Sequence, residues 1–350
     1  MKDLEWLLGH VPYRGLLRAS FLMAGMVFAS LSFSQTLSPL QGGHYSPTVK
    51  NIRDMATPPA GLFILWYNAY AFSDTYIDRN GNEFNRIQLS DIYPQLPDID
   101  VALNLDAFAS IPGIFWASPF RFLGGARYMA GVSPNYMVAD ASIITERGGI
   151  VSDTTFIREF AGKNAGFGDL FVAPLILSWE LRHFDFTVLY GFAAPTGKYN
   201  TGSDDNLGLG FWTHQFQGFT YYYPLPEKAT AIMVGLTYEL NGKIKDAEAK
   251  PGDRFSLEYG ISQYLSERFE LGIMGAHNWQ VSDDSGDDVY WDAGFHDRKS
   301  TLDFSAGYWV WRNHLLLSGK YGFDYGIRQR FKNNYVMLNL VYIPNILTGK

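Results

Sequence analysis

Few residues in this chain are spaced for chemistry. His183 and Asp185 stand two apart on one face of an extended run, and a carboxylate beside an imidazole invites an acid–base reading. A simple hydrogen-bonding pair is the blander account and the favoured one, since it needs no third partner. Asp283, Asp284, Asp287 and Asp288 offer oxygen ligands for calcium, but their order does not follow an EF-hand loop. Asp78-Arg79-Asn80-Gly81-Asn82 reads as a hairpin turn around Asn-Gly. For both stretches a solvated loop is the default. The 7 His are scattered, and neither His-Glu-x-x-His nor Gly-x-Ser-x-Gly occurs. The expectation is therefore no enzyme, with no catalytic residue, no metal and no cofactor. A barrel enzyme acting on lipid stays open, because a catalytic triad need not be local in sequence.

The elements around these residues are more informative. The chain has 350 residues, 47% hydrophobic and 16% aromatic, and only 18% charged. An ordinary soluble domain carries roughly 25% charged residues, so either much is buried or much of the surface does not face water. A net charge of -7 provides no basic stripe and argues against nucleic acid. With 0 Cys there is no disulfide, thiolate metal site or cysteine nucleophile.

Short alternating runs recur, separated by turns rich in Gly, Asn, Asp and Pro. In Arg182 to Phe192, residues Phe184, Phe186, Val188, Tyr190 and Phe192 share one face, and His183, Asp185, Thr187 and Leu189 the other. The same split appears in Thr230 to Leu240, Phe255 to Leu265, Arg268 to Gln280, Thr301 to Arg312, His314 to Tyr325 and Tyr335 to Ile343. Weaker candidates are Gly61 to Phe72, Val101 to Ile111, Ala126 to Val138, Phe167 to Trp179 and Gly208 to Tyr223. Short connections such as Leu265-Ser266-Glu267 and Arg312-Asn313-His314 alternate with long polar ones such as Lys243 to Asp253 and Asp283 to Asp288. Short turns at one rim and long loops at the other mark an outer-membrane barrel. The expected fold is all-β, a transmembrane antiparallel up-and-down β-barrel of about 12 strands, with 10 to 14 allowed.

Parity alone does not say which face is wet, and a soluble β-sandwich would turn the apolar face inward. Three features favour the barrel: the apolar face is rich in aromatic residues, an export signal precedes it, and Trp279, Trp309, Trp311 and Tyr342 fall near run ends, where an interfacial girdle would sit. His183, Asp185, Glu239, Glu258, Arg268, Glu270, Asp303, Lys320 and Asp324 then face the lumen.

Arg14 and Arg18 precede an uncharged, mostly apolar stretch, Ala19 to Phe33, too short for a comfortable membrane-spanning helix and followed by small residues. The organisation expected is a signal peptide over 1–34, an N-terminal segment over 35–60 that forms a plug or a periplasmic lead-in, a barrel over 61–343 and a tail over 344–350. An N-terminal anchor helix is the alternative to the signal peptide.

The motifs GGHYSP (Gly42 to Pro47), PPAG (Pro58 to Gly61), DRNGN (Asp78 to Asn82), GFGDL (Gly166 to Leu170), PTGKYN (Pro195 to Asn200) and NLGLGFW (Asn206 to Trp212) run through most of the chain. Together they resemble the bacterial family named for the meta pathway of phenol degradation, the SphA-like outer-membrane transporters. The matching positions are Gly43, His44, Tyr45, Gly61, Asn80, Gly81, Asp169, Pro195, Thr196, Gly197 and Tyr199. The chain departs from the family's pattern at Thr48, after Pro47, where Pro-Gly is usual. The resemblance implies a channel in the bacterial outer membrane for passive uptake of small hydrophobic or aromatic compounds. Its partners would be outer-membrane lipid, a small-molecule solute and the barrel-assembly machinery during biogenesis. A plugged structural barrel, with Gly42 to Gly61 folded inward, is the remaining alternative.

Overall fold

The structure is a computed structural model that describes residues 42–88, 90, 97–148, 155–201, 203 and 205–344. The expected signal peptide over 1–34, the first part of the expected 35–60 segment and most of the expected tail over 344–350 lie outside the described residues.

Every regular element among these residues is a strand. In chain order they are β1 (Gly61–Ser73), β2 (Tyr76–Ile77), β3 (Arg86–Ile87), β4 (Ile99–Phe122), β5 (Ala126–Ser133), β6 (Tyr136–Gly148), β7 (Thr155–Phe167), β8 (Leu170–Glu180) and β9 (Phe184–Ala194). Then follow β10 (Thr213–Tyr222), β11 (Thr230–Asn241), β12 (Arg254–Tyr264), β13 (Phe269–Gln280), β14 (Arg298–Trp311), β15 (Leu315–Arg328), β16 (Arg330–Phe331) and β17 (Asn334–Tyr342). Antiparallel pairing runs from β4 through β5, β8 and β9 to β15, then to β17 and β1. Pairing of β1 with β4 closes a 12-stranded barrel.

Alternation fixes which face is which. Along β11, Ile232, Val234, Leu236, Tyr238 and Leu240 are exposed, while Ala231, Met233, Thr237, Glu239 and Asn241 are buried. An exposed belt this apolar is tolerated where the surrounding medium is hydrocarbon, and the pairing of β1 with β4 joins the two sides of the sheet around the barrel. Rings line both ends of the belt, as in Phe192 with Trp212 and Phe184 with Tyr222. One expected girdle residue sits elsewhere: Trp309 is on the inward parity of β14, packs on the interior cluster and donates to Tyr264 Oη at 3.0 Å.

The rims differ as the turn chemistry predicts. Residues 123–125, 181–183, 265–268 and 312–314 are tight connections on the rim where β1 begins and β17 ends, the periplasmic rim of an outer-membrane barrel. The long connections 195–212, 242–253 and 281–297 emerge at the other rim. They fold on one another around Phe211, Ile244, Ala249 and Trp291, a small second core outside the barrel.

The wall is interrupted in one place. β5 and β6 are successive halves of one strand broken at Pro134-Asn135, and β7 and β8 are halves broken at Gly168-Asp169. Pro112 of β4 faces the same seam and has no N–H to give it; its carbonyl instead accepts from Ser133 Oγ. Above the seam β4, β6 and β7 continue as an extension carrying Asp106, Asp140 and Lys163. Sequence reading merged these pieces: the Val101 to Ile111 candidate is the first half of a 24-residue strand, and the Ala126 to Val138 candidate straddles the break.

Candidate functional site

The interior is filled by the segment 42–60, which threads the lumen from the long-loop rim to the periplasmic rim. His44 lies beside Thr213 at the upper end of β10, Tyr45 beside Glu239 and Glu258, Arg53 beside the 223–229 turn, and Gly61 opens β1 opposite Ala117.

One half of the wall grips this segment through polar groups. Glu239 Oε1 accepts from Tyr45 N at 2.7 Å, and Glu258 Oε1 accepts from Thr48 N at 2.7 Å. The Tyr45 hydroxyl donates to Glu258 Oε2. Lys320 Nζ donates to the Thr48 and Lys50 carbonyls and pairs with Asp303 at 3.2 Å. Ser318 Oγ and Asn339 Nδ2 both donate to Asn51 Oδ1. At the periplasmic end Arg53 donates to Ser262 Oγ, Glu270 Oε1 and the carbonyls of Lys228 and Ala229, and lies over the Tyr264 ring at 4.7 Å. Buried charges persist only when paired and hydrogen-bonded, so this network orders the segment as well as neutralising the wall.

The opposite half of the wall is mostly apolar, although Thr187 Oγ1 donates to the Met55 carbonyl, Tyr67 Oη donates to Asp54 Oδ2 and Thr57 Oγ1 meets Ser178 Oγ. Phe63, Leu65 and Tyr67 of β1, Ile111 and Phe115 of β4, Met129 of β5, Phe171 and Ile176 of β8 and Leu189 of β9 bound a cavity of about 200 Å³ between wall and segment. Phe115 lies flat because its cross-strand neighbour is Gly131; a Cβ there would fall 2.0 Å from Phe115 Cδ1. A second cavity of about 390 Å³ opens toward the periplasmic rim beside Arg53, Trp309 and Leu316. Both cavities share Asp54, Pro58, Phe63 and Leu65 as lining, so one layer of side chains separates them.

The motif residues converge at the top of the upper cavity. Asp169, at the break between β7 and β8, accepts from Gly197 N at 2.9 Å, Leu209 N at 2.7 Å and His44 Nε2 at 2.9 Å. His44 Nδ1 meets Thr213 Oγ1 at 2.7 Å. Burial pushes the Asp169 carboxyl up, but these hydrogen bonds outweigh it and hold the group below the ordinary value of 3.8. Gly43 lies against Glu239 and Arg254, and Gly197 against Gly168 and Gly208, so closely that a Cβ at either position would overlap them. Tyr199 packs over Gly210, and Leu170 N donates to Thr196 Oγ1. Pieces of sequence up to 169 residues apart thus tie the start of the lumen segment to the wall break, the 195–212 loop and the start of β10. Asn80 and Gly81 sit apart, in a turn where Asp78 Oδ1 accepts from Asn80 N.

Of the residues expected in the lumen, Asp185, Glu239, Glu258, Asp303, Lys320 and Asp324 are buried inside the barrel, and Glu270 faces it in its ion pair with Arg53. Asp185 accepts from Tyr223 Oη and Lys228 Nζ, and Asp324 from Thr301 Oγ1. Two require correction. Arg268 shares parity with Glu270 but precedes the first residue of β13 and is exposed in the periplasmic turn. His183 lies in the turn before β9 with its Nδ1 2.8 Å from the Tyr223 carbonyl oxygen, whereas Asp185 is engaged by Tyr223 Oη and Lys228 Nζ. The chamber residues Phe115, Met129, Phe171, Gln215 and Gln217 were missed; Gln215-Phe216-Gln217-Gly218-Phe219 carries the signal as an alternation whose inward face is amide.

Among the described residues no cluster of His, Cys, Asp or Glu is arranged to hold a metal ion.

A closed 12-stranded barrel with an apolar, ring-edged belt, tight turns at one rim and loops at the other is a bacterial outer-membrane β-barrel. The family model described as "Putative MetA-pathway of phenol degradation" matches residues 91–340, and the chain belongs to that family. No curated protein matches the sequence. Among solved structures, the COG4313 outer membrane channel from Pseudomonas putida F1 shares the fold, with a TM-score of 0.61 at 15% identity over 83% of this chain and 97% of that one. A Pseudomonas aeruginosa FadL homologue has a TM-score of 0.40 at 10% identity, over 83% of this chain and 92% of that one.

Proposed function

We propose that the barrel is a passive outer-membrane channel for small hydrophobic or aromatic compounds, and that the segment 42–60 is its plug. The observation carrying this reading is the asymmetric lumen. The plug is fastened by charge and hydrogen bonds to the β10–β15 side, which leaves an apolar chamber along β1, β4, β5, β8 and β9. Charged solutes gain nothing from such walls, whereas an apolar solute leaves water for them at about 25 cal/mol per Å² buried. The lower cavity lies behind one layer of side chains and provides a route toward the periplasm. Insertion by the barrel-assembly machinery and contact with outer-membrane lipid follow from the same reading.

Binding of naphthalene to the purified barrel in lipid nanodiscs tests this, with empty nanodiscs subtracting partition into lipid. Saturable binding that is lost in Gly131→Leu, where Phe115 must swing into the chamber, is the expected result. Uptake indistinguishable from empty nanodiscs would remove the chamber as a solute site and leave a plugged structural barrel.

A further inference from the structure

The outer face of the barrel ends, at the long-loop rim, in two arginines that the protein's own side chains leave unpaired. Arg298 opens β14 and Arg328 closes β15; they are direct cross-strand partners, and both are exposed. Such partners have Cα atoms within about 5.5 Å, and like charges directly opposite repel. Among the described residues neither guanidinium has a hydrogen bond or an ion pair. The nearest carboxylates along the chain, Asp297 and Asp324, are buried and already held, the first by Arg254 and Arg330 and the second by Lys299.

A β-bulge creates this juxtaposition. Ser300 faces Tyr325, but the next outward residue of β14, Arg298, faces Arg328, so β15 spends one extra residue over the step. Gly326 lies in that step with φ 58°, the left-handed region that glycine occupies without strain. The alternation of β15 therefore changes phase: Tyr325 is exposed, Ile327 buried and Arg328 exposed again. In the phase of the lower strand Arg328 would point into the lumen.

The face beneath sets the depth of the pair. One outward row lower, His277 Nδ1 lies 2.7 Å from Ser300 Oγ and its ring meets that of Tyr325 edge-on, while Trp279 flanks Arg298 on β13. Below that row come the exposed residues Ile273, Phe304 and Tyr321 of the apolar belt. Amphipathic rings mark the membrane–water interface, and two residues of strand put the arginines about 7 Å further out, at the level of lipid phosphate.

We propose that Arg298 and Arg328 form a clamp for a phosphate group of the outer-leaflet lipid, the phosphorylated glycolipid of the bacterial outer membrane. Each guanidinium fork offers a phosphate two parallel N–H···O bonds, and an anion between the forks turns their repulsion into attraction. With a net charge of -7 the chain has no general attraction for an anionic surface, so the contact is local to this pair. The clamp sits on the wall and is independent of what the lumen carries.

Native mass spectrometry of the full barrel, released from detergent micelles after titration with lipid A carrying both phosphates, tests the clamp. The comparison ligands are the same lipid A with its phosphates removed, and inorganic phosphate. Saturable retention of lipid A is the expected result, with the dephosphorylated lipid at background. An exposed charge-assisted contact is worth a factor of about five, so Arg298→Gln and Arg328→Gln should each weaken retention about fivefold and the double variant about twentyfold. Arg298→Lys combined with Arg328→Lys keeps the charge without the fork and should lose less. The heat-dependent gel shift of each variant verifies that the barrel is folded. Equal retention by the native protein and the double glutamine variant, or equal retention of the two forms of lipid A, would overturn the clamp. Displacement of lipid A by an equal concentration of inorganic phosphate would mark a site for a free anion and overturn the lipid assignment.

Discussion

Arg53→Ala removes the fastening of the plug at the periplasmic end, and its effect follows from the bonds lost. The guanidinium donates to Ser262 Oγ, Glu270 Oε1 and the carbonyls of Lys228 and Ala229, and packs over Tyr264. Its side chain is 17% exposed and that of Glu270 14%, so solvent screens the pair only in part. Truncation leaves Glu270 without its partner; breaking a buried pair costs roughly 3–5 kcal/mol, and partial exposure puts the expectation at the lower end, about 3 kcal/mol. If that loss falls on the plugged state, the population with a displaced plug rises about a hundredfold, since about 1.4 kcal/mol is a factor of ten. Single-channel recording in planar bilayers reads this directly as longer and more frequent high-conductance dwells. Arg53→Lys keeps the charge without the fork and should fall between the two. A folded Arg53→Ala barrel whose current trace matches the native protein would refute the claim that this contact holds the occluding segment.

Other residues provide independent checks. Phe63→Ala removes a side chain shared by both cavities and stacked on Phe115, so it should join them, raise solute flux and lower stability by about 3–5 kcal/mol in urea titration of the membrane-inserted protein. Ile273→Arg places a cation mid-strand on the exposed face of β13 and should destabilise the inserted barrel by about 2–4 kcal/mol; no loss would mean that this face meets water. Asp169 has a carboxyl held below 3.8, so its stabilising contribution is complete above that value and disappears as pH falls through the lower folded one. Unfolding midpoints measured against pH should therefore show Asp169→Asn below the native protein at neutral pH, with the two converging in strong acid.

How much was legible in advance depended on whether the information was local. Period-two alternation in segments such as Thr230 to Leu240 is set by the pleat itself, and the inward positions of Asp185, Glu239, Glu258, Asp303, Lys320 and Asp324 followed from it. Parity failed at strand ends: it extends without limit, whereas β13 begins at Phe269 and leaves Arg268 in a turn. Position near a run end placed Trp309 with the girdle, although the residue shares the inward parity of Asp303 and its ring packs on the interior cluster. The wall break was hidden because Pro134-Asn135 and Gly168-Asp169 read as ordinary turn residues, and only their pairing shows two strands broken at one level. The chamber was beyond reach for a deeper reason. It exists because the 42–60 segment lies on one half of the lumen, a long-range choice made by Glu239, Glu258, Lys320 and Arg53 acting on residues some 170 to 270 positions away.

The measurement closest to the central claim is the initial rate of uptake of a labelled monoaromatic compound by whole cells, compared across a strain lacking the protein, one producing it, and one producing Gly131→Leu at equal outer-membrane level. A saturable component that appears with the native barrel and disappears when Phe115 is driven into the chamber is the predicted result. Equal rates in all three strains would contradict the account, leaving an outer-membrane barrel whose chamber is not on the path of any such solute.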